Sequence, residues 1–162
     1  MAALAVALTA GIFASPSRAQ AAPVLSGRAS VIDGDTIEIH GQRIRLWGID
    51  APEARQSCTD GAGKTVPAGR QSAFALSDLI GERTVTCTQR DRDRWDRPVA
   101  LCQIGAEDIS AKMVATGWAL AFVRYSRDYV AQEQTAKERA LGVHAWRCET
   151  PWAYRAAARA KP

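Results

Sequence analysis

Between residues 25 and 104 apolar and polar positions alternate in five short runs, at about 25–32, 36–40, 43–49, 83–90 and 97–104. Each run is rich in valine, isoleucine or alternating apolar residues, the pattern of a strand with one buried face. His40-Gly41-Gln42 separates the second run from the third as a hairpin turn. Residues 54–67, "ARQSCTDGAGKTVP", carry glycine, proline, aspartate and serine and read as a surface loop. Three other stretches have helical character. The first runs from about Gly69 to Ile80 and stops at Gly81, which tolerates positive φ. The second, Ile109 to Thr116, has Asp108 as an N-cap and Gly117 just past its end. The third starts near Ser126, continues through "RDYVAQEQTAKERAL" and ends at Gly142. Strands first, with a helix inserted after three of them, predict an α+β fold built on a small barrel rather than a doubly wound sheet. No internal repeat interrupts this order.

The N-terminal end departs from the pattern. Residues 2–14, "AALAVALTAGIFA", form an apolar run, shorter than the roughly 20 residues that span a bilayer. In the following "SPSRAQAA", Ala19 and Ala21 bracket Gln20 in the small-x-small arrangement of a signal-peptidase site. Residues 1–21 are therefore read as a signal peptide, although no lysine or arginine precedes the run. The alternative is a short helix retained in the fold. Residues 22–162 are read as one domain with a short C-terminal tail, and 162 residues suit a single core. No other stretch is suited to crossing a membrane. The expectation is a periplasmic or secreted monomer, free of the membrane once the signal is removed. A net charge of +4 leans toward an acidic partner such as nucleic acid, a lean that many basic secreted proteins share.

Cysteine usage agrees with export. The four cysteines, Cys58, Cys87, Cys102 and Cys148, contain no C-x-x-C pair, which argues against a zinc knuckle. An even number in an exported chain implies two disulfides drawn from three connectivities. Folding the charged turn "DRDRWDRP" at its centre sets Cys87 opposite Cys102. That pairing leaves Cys58–Cys148 to staple a loop to the C-terminal region.

The chemistry concentrates in "VIDGDTIEIHGQRIRLWGIDAPE", Val31 to Glu53, where Asp35, Asp50 and Glu53 stand among strand-forming residues with Arg43 and Arg45. Only two histidines exist, His40 and His144, so a histidine base or a histidine–metal cluster is disfavoured. Carboxylates instead suit Ca²⁺ or Mg²⁺, and arginine forks suit phosphoryl oxygens. Taken singly, each residue has an ordinary reading. Asp35 suits a turn, Asp50 and Glu53 a solvated strand exit, Arg45 a cross-strand pair with Glu38, and Arg97 a charged hairpin tip. Arg43 reads as structural or exposed. The functional case rests on their joint occurrence.

"DGDT", "RIRLWGIDAPE", "DRWDRPVALC" and "GWALAF", followed by the late helix, resemble the staphylococcal nuclease (thermonuclease) family over roughly Gly27 to Trp146. The resemblance implies a five-stranded OB-type β-barrel with three α-helices. It makes Asp35 and Asp50 ligands of Ca²⁺, with Ala51 standing where the family ligates through a backbone carbonyl. Glu53 matches the glutamate that handles the attacking water, and Arg45 and Arg97 the two phosphate-binding arginines. Arg94 and Trp95 stand where the best-known member has lysine and tyrosine near the substrate's terminal phosphate, and His144 where many relatives have tryptophan. The implied activity is hydrolysis of DNA and RNA with little sequence preference. Two other classes compete with it: a non-catalytic OB-type module binding nucleic acid or protein, and a disulfide-bonded domain with a structural role. Loss of catalysis would show as replaced acids or arginines at the five positions, and none is replaced. Whether Arg45 shares a face with Asp35 depends on the length of the turn at His40, because side chains alternate with period two.

Overall fold

The computed structural model describes residues 24–160, and the expected signal peptide, residues 1–21, lies outside them. The elements follow in the order β1 (Val24–Asp33), β2 (Thr36–Ile39), β3 (Gln42–Leu46), β4 (Ile49–Asp50), β5 (Cys58–Thr59), β6 (Thr65–Val66) and α1 (Ala68–Ile80). Then come β7 (Thr84–Arg92), β8 (Pro98–Ile104), β9 (Glu107–Asp108), α2 (Ile109–Ala115), β10 (Leu120–Ala121), α3 (Val130–Glu138), a 3-10 turn at Gly142–Ala145 and α4 (Pro151–Ala160).

Five strands line up as β3-β2-β1-β7-β8, and a parallel pairing of β3 with β8 closes the sheet on itself. The remaining neighbours are antiparallel. This is the small barrel that the order of elements predicts and the OB-type barrel that the resemblance implies, and closure leaves no open edge between β3 and β8. Ile37, Ile39, Ile44 and Leu46 point into the barrel, where they meet Leu76 and Ile80 of α1 and Ile109, Met113 and Val114 of α2. Each such side chain contributes about 2 kcal/mol by leaving water. Asp108 caps α2 as expected, its carboxylate accepting from the N–H groups of Ser110 and Ala111.

Both expected disulfides are present. Cys87 and Cys102 are direct cross-strand partners on β7 and β8, with Cα atoms 4.0 Å apart. Cys58–Cys148 joins β5 to the chain just before α4.

Four details differ from the sequence reading. The turn between β2 and β3 has two residues, His40 and Gly41, at φ of 51° and 76°, since Ile39 pairs with Gln42. The expected loop over 54–67 contains a small antiparallel pair, β5 with β6, and Thr59 also bridges to Arg147. The third helix is shorter than 126–142. Side chains hold its expected first turn in another shape: Asp128 N–H donates to Ser126 Oγ (3.0 Å), Trp47 Nε1 to Asp128 Oδ2 (2.9 Å) and Tyr129 Oη to Asp108 Oδ2 (2.9 Å). The expected C-terminal tail is a fourth helix. Thr150 Oγ1 accepts from Ala153 N–H at 3.4 Å, and Pro151 fills the first helical position, where a missing N–H costs nothing.

Candidate functional site

The site grows from the tight turn between β1 and β2. The pairing of these strands shifts register between Val31 and Asp33, and Asp35 N–H donates to Asp33 Oδ1 (3.0 Å). Gly34 is required there because a Cβ would run into Ser72 Oγ of α1 and the side chain of Ala51. Asp35 is thereby turned inward and is 5% exposed. Its Oδ1 accepts from Thr36 Oγ1 (3.0 Å) and its Oδ2 from Ala51 N–H (3.1 Å).

The two-residue turn at His40 places Arg45 directly across from Thr36 and Arg43 across from Glu38. Arg43, not Arg45, therefore pairs with Glu38, at 3.5 Å. Asp35 lies in the turn just before β2, outside the strict alternation, so Arg45 can reach it. Arg45 Nη2 stands 3.1 Å from Asp35 Oδ2 and 2.8 Å from Asp50 Oδ1. Asp50 is fully buried on β4, which pairs with β10. Burial pushes the carboxyls of Asp35 and Asp50 above the ordinary range. Burial also works against the charge on Arg45, but Asp35 and Asp50 outweigh it and hold the guanidinium more firmly protonated than usual.

Glu53 completes this wall. Its N–H donates to Gln56 Oε1 (3.1 Å), and the buried Gln56 side chain donates onward to the carbonyl of Glu149 (2.7 Å). Gly69 lets the first turn of α1 pack against the Glu53 carbonyl, where any Cβ would collide. The Glu53 carboxylate meets a residue that the sequence reading did not single out, Arg155 of α4. Arg155 Nη1 donates to Glu53 Oε1 (2.6 Å) and Asp50 Oδ1 (2.9 Å), and Nη2 to Asp50 Oδ2 (2.7 Å). Those bonds to Asp50, with help from Glu53, raise the pKa of Arg155 above the ordinary arginine value. The signal for α4 was present in "TPWAYRAAARA": a capping threonine, a proline at the first position and an alanine-rich body.

The tip of the β7–β8 hairpin forms a second wall. Asp93 Oδ1 accepts from the N–H groups of Trp95 (2.9 Å) and Arg97 (3.0 Å), and Oδ2 from Arg97 Nε and Nη2, both at 2.7 Å. Burial opposes the charge of Asp93, but these bonds prevail and hold its carboxyl below the usual range. Trp95 is exposed, with the guanidinium carbons of Arg94 and Arg97 at 4.0 and 5.1 Å from its ring centre. Asp35, Arg45 and Asp50 thus form one bonded cluster, to which Arg155 joins Glu53. Arg94, Trp95 and Arg97 are not bonded to it, but they share with Asp35, Arg45 and Glu53 the lining of a cleft of about 1000 Å³, beneath which Asp50 is buried. At the cleft's aromatic side, Phe122 stacks on Tyr125 (5.5 Å) and approaches Trp152 of α4 (5.7 Å).

Among the described residues no group of three or more histidine, cysteine, aspartate or glutamate side chains could hold a metal ion. The donors that do converge are the two carboxylates of Asp35 and Asp50, beside the main chain of Ala51. Asp35 Oδ2 and Asp50 Oδ1 both approach one cationic nitrogen, Arg45 Nη2. An all-oxygen set of this kind fits a hard divalent cation that completes its shell with water.

The family model described as "Staphylococcal nuclease homologue" matches residues 43–147. Among curated proteins, the succinoglycan biosynthesis protein ExoI of Rhizobium meliloti (strain 1021) is 37% identical over 139 residues, covering 81% of this chain and 69% of that protein. An uncharacterized endonuclease of Haemophilus influenzae is 29% identical over 126 residues, covering 75% of this chain and 65% of that protein. A micrococcal nuclease of Shigella flexneri is 29% identical over 149 residues, covering 80% and 79%. The chain thus spans about two thirds of the length of the first two. The family match takes in Arg45, Asp50, Glu53 and Arg97, and the closed five-stranded barrel agrees with it; the chain belongs to the staphylococcal nuclease family.

Proposed function

We propose that this protein is an exported, Ca²⁺-dependent nuclease that hydrolyses phosphodiester bonds of DNA and RNA with little sequence preference. The observation that carries the reading is that Asp35, Arg45 and Asp50 bond together, with Glu53 joined to them through Arg155, at a cleft that Arg97 also lines. Asp35 and Asp50, with the Ala51 carbonyl, would hold the cation. When bound, Ca²⁺ supplies positive charge beside the phosphoryl oxygens and orients water. Arg45 holds both aspartates in place and presents its guanidinium to the phosphate from one side. Arg97 does so from the other, and the pair binds the charge that grows on the phosphoryl oxygens as water attacks phosphorus. Glu53 accepts the water's proton; its fixed backbone, anchored through Gln56, sets where that carboxylate can reach. Arg94 and Trp95 contact the substrate beyond the cleaved phosphate, and the exposed indole offers a stacking face to an unpaired base. Recognition is of backbone and stacking surface, which accounts for low sequence preference.

Incubating the protein with single-stranded DNA and with RNA, in Ca²⁺ and in EDTA, tests the reading. Degradation of both substrates in Ca²⁺ and its loss in EDTA are expected. Full hydrolysis in EDTA would end the metal assignment, and no hydrolysis in Ca²⁺ would favour a non-catalytic binding module.

A further inference from the structure

Helix α4 places a positive charge on the two acids that the proposed function needs most. We infer that α4 is a displaceable plug, in which the Arg155 guanidinium competes with a divalent cation for Asp50 and Glu53. The inference rests on the proposed reading of Asp50 as a cation ligand.

The first argument is occupancy. Arg155 takes both carboxylate oxygens of Asp50 and Oε1 of Glu53, while Arg45 takes Asp50 Oδ1 and Asp35 Oδ2. Asp50 Oδ1 thus accepts from two guanidinium groups and Oδ2 from one, which fills all but one of the roughly four lone-pair sites of the carboxylate, so a cation that takes Oδ1, or both oxygens together, displaces a donor. Arg45 is fixed in the barrel wall with its side chain 21% exposed, whereas Arg155 is on a peripheral helix at 30%. Arg155 is the one that can leave.

Charge gives the second argument. The acids Asp35, Asp50 and Glu53 face two guanidinium groups, which leaves one net negative charge in the cluster. A divalent cation added to that set makes the partly buried cluster positive, whereas exchanging it for Arg155 makes the cluster neutral. Uncompensated charge in a poorly solvated place is costly, so exchange is favoured over addition.

Third, α4 is lightly attached. Within it only Pro151 is buried. Besides Arg155, its side-chain ties to the other described residues of the body include only the Trp152–Phe122 ring contact at 5.7 Å and a Tyr154 Oη–Arg55 carbonyl bond at 3.5 Å, the outer limit for a hydrogen bond. An element with so few buried apolar contacts opens at low free-energy cost. Its root is anchored, however. Cys148 is bonded to Cys58, Arg147 pairs with Thr59, and the Glu149 carbonyl accepts from Gln56. Motion is thereby confined to a pivot at Thr150 and Pro151, and the released arginine stays close enough to rebind, at high effective concentration.

Calorimetric titration of the full chain with Ca²⁺ tests the plug, comparing wild type with Arg155→Ala and Arg155→Lys. Arg155→Ala should bind at least tenfold more tightly, with Arg155→Lys between the two. Hydrogen exchange on the wild type gives a readout independent of any variant: Ca²⁺ should speed exchange of amides 152–160 while slowing it around Asp35 and Asp50. Equal or weaker binding by Arg155→Ala, or exchange in 152–160 that is unchanged or slowed by Ca²⁺, overturns the plug alone. Absence of Ca²⁺ binding by all three proteins overturns the metal assignment and the plug with it.

Discussion

Arg45 carries two tasks that single substitutions can separate. It neutralises Asp35 and Asp50 in the folded protein, and it faces the cleft. Arg97, by contrast, is held by Asp93 on an exposed hairpin and neutralises nothing in the core. Arg45→Ala should therefore lower both turnover and stability, the latter by about 3 kcal/mol, because removing one partner strands buried charge. Arg97→Ala should lower kcat by about 100-fold or more while costing only about 1 kcal/mol of stability, through its bonds to Asp93. Paired measurements of kcat and thermal midpoint check this, and near wild-type turnover in either variant would remove that arginine from the clamp. The sequence singled out these acids and arginines as candidates through their joint occurrence among strand-forming residues and through the resemblance to the nuclease family. Their mutual contact was not legible there, since it depends on a two-residue turn at His40 and on Asp35 leaving the alternation.

At the scale of elements, the β7–β8 hairpin behaves as a mount for Arg97. Asp93 organises its tip, and the folded-state pKa of Asp93 lies below the unfolded value. The stabilisation it gives is thus present above about pH 3.9, the ordinary aspartate value, and is lost as pH falls through the lower folded one. Asp93→Asn should cost about 1–2 kcal/mol at neutral pH, and the gap from wild type should narrow in acid, as urea unfolding at the two pH values would reveal. Further down the same hairpin, Cys87–Cys102 locks the strands across from each other. Replacing both with serine should depress turnover more than replacing Cys58 and Cys148, whose larger loop predicts the greater loss of stability, about 4–5 kcal/mol against about 3. The reverse order in turnover would detach the hairpin lock from catalysis. Long alternating runs such as β7 and β8 declared themselves in the sequence. The two-residue strands β5 and β6 did not, because distant partners create them: Arg147 bridges Thr59, and Cys148 bonds Cys58. Helix α4 announced its start at Thr150-Pro151, but nothing local could say that Arg155 would reach Asp50, 105 positions earlier.

Across the molecule, the barrel brings together residues far apart in sequence by closing β3 on β8, and that closure sets the wall bearing Arg45 beside the strand that follows Arg97. The bond between Cys58 and Cys148, separated by 90 positions, has a further consequence for how the chain withstands proteolysis. Any single cut by a protease between Thr59 and Arg147 leaves the two fragments covalently joined. The exposed Gly61–Lys64 tip between β5 and β6 is the natural place for such a cut, and it lies within that span. Brief trypsin treatment followed by electrophoresis should give one band of unchanged mass without reductant and two with it. A nicked protein of this kind keeps its cleft and its barrel, so damage that would discard an uncrosslinked chain leaves this one in service.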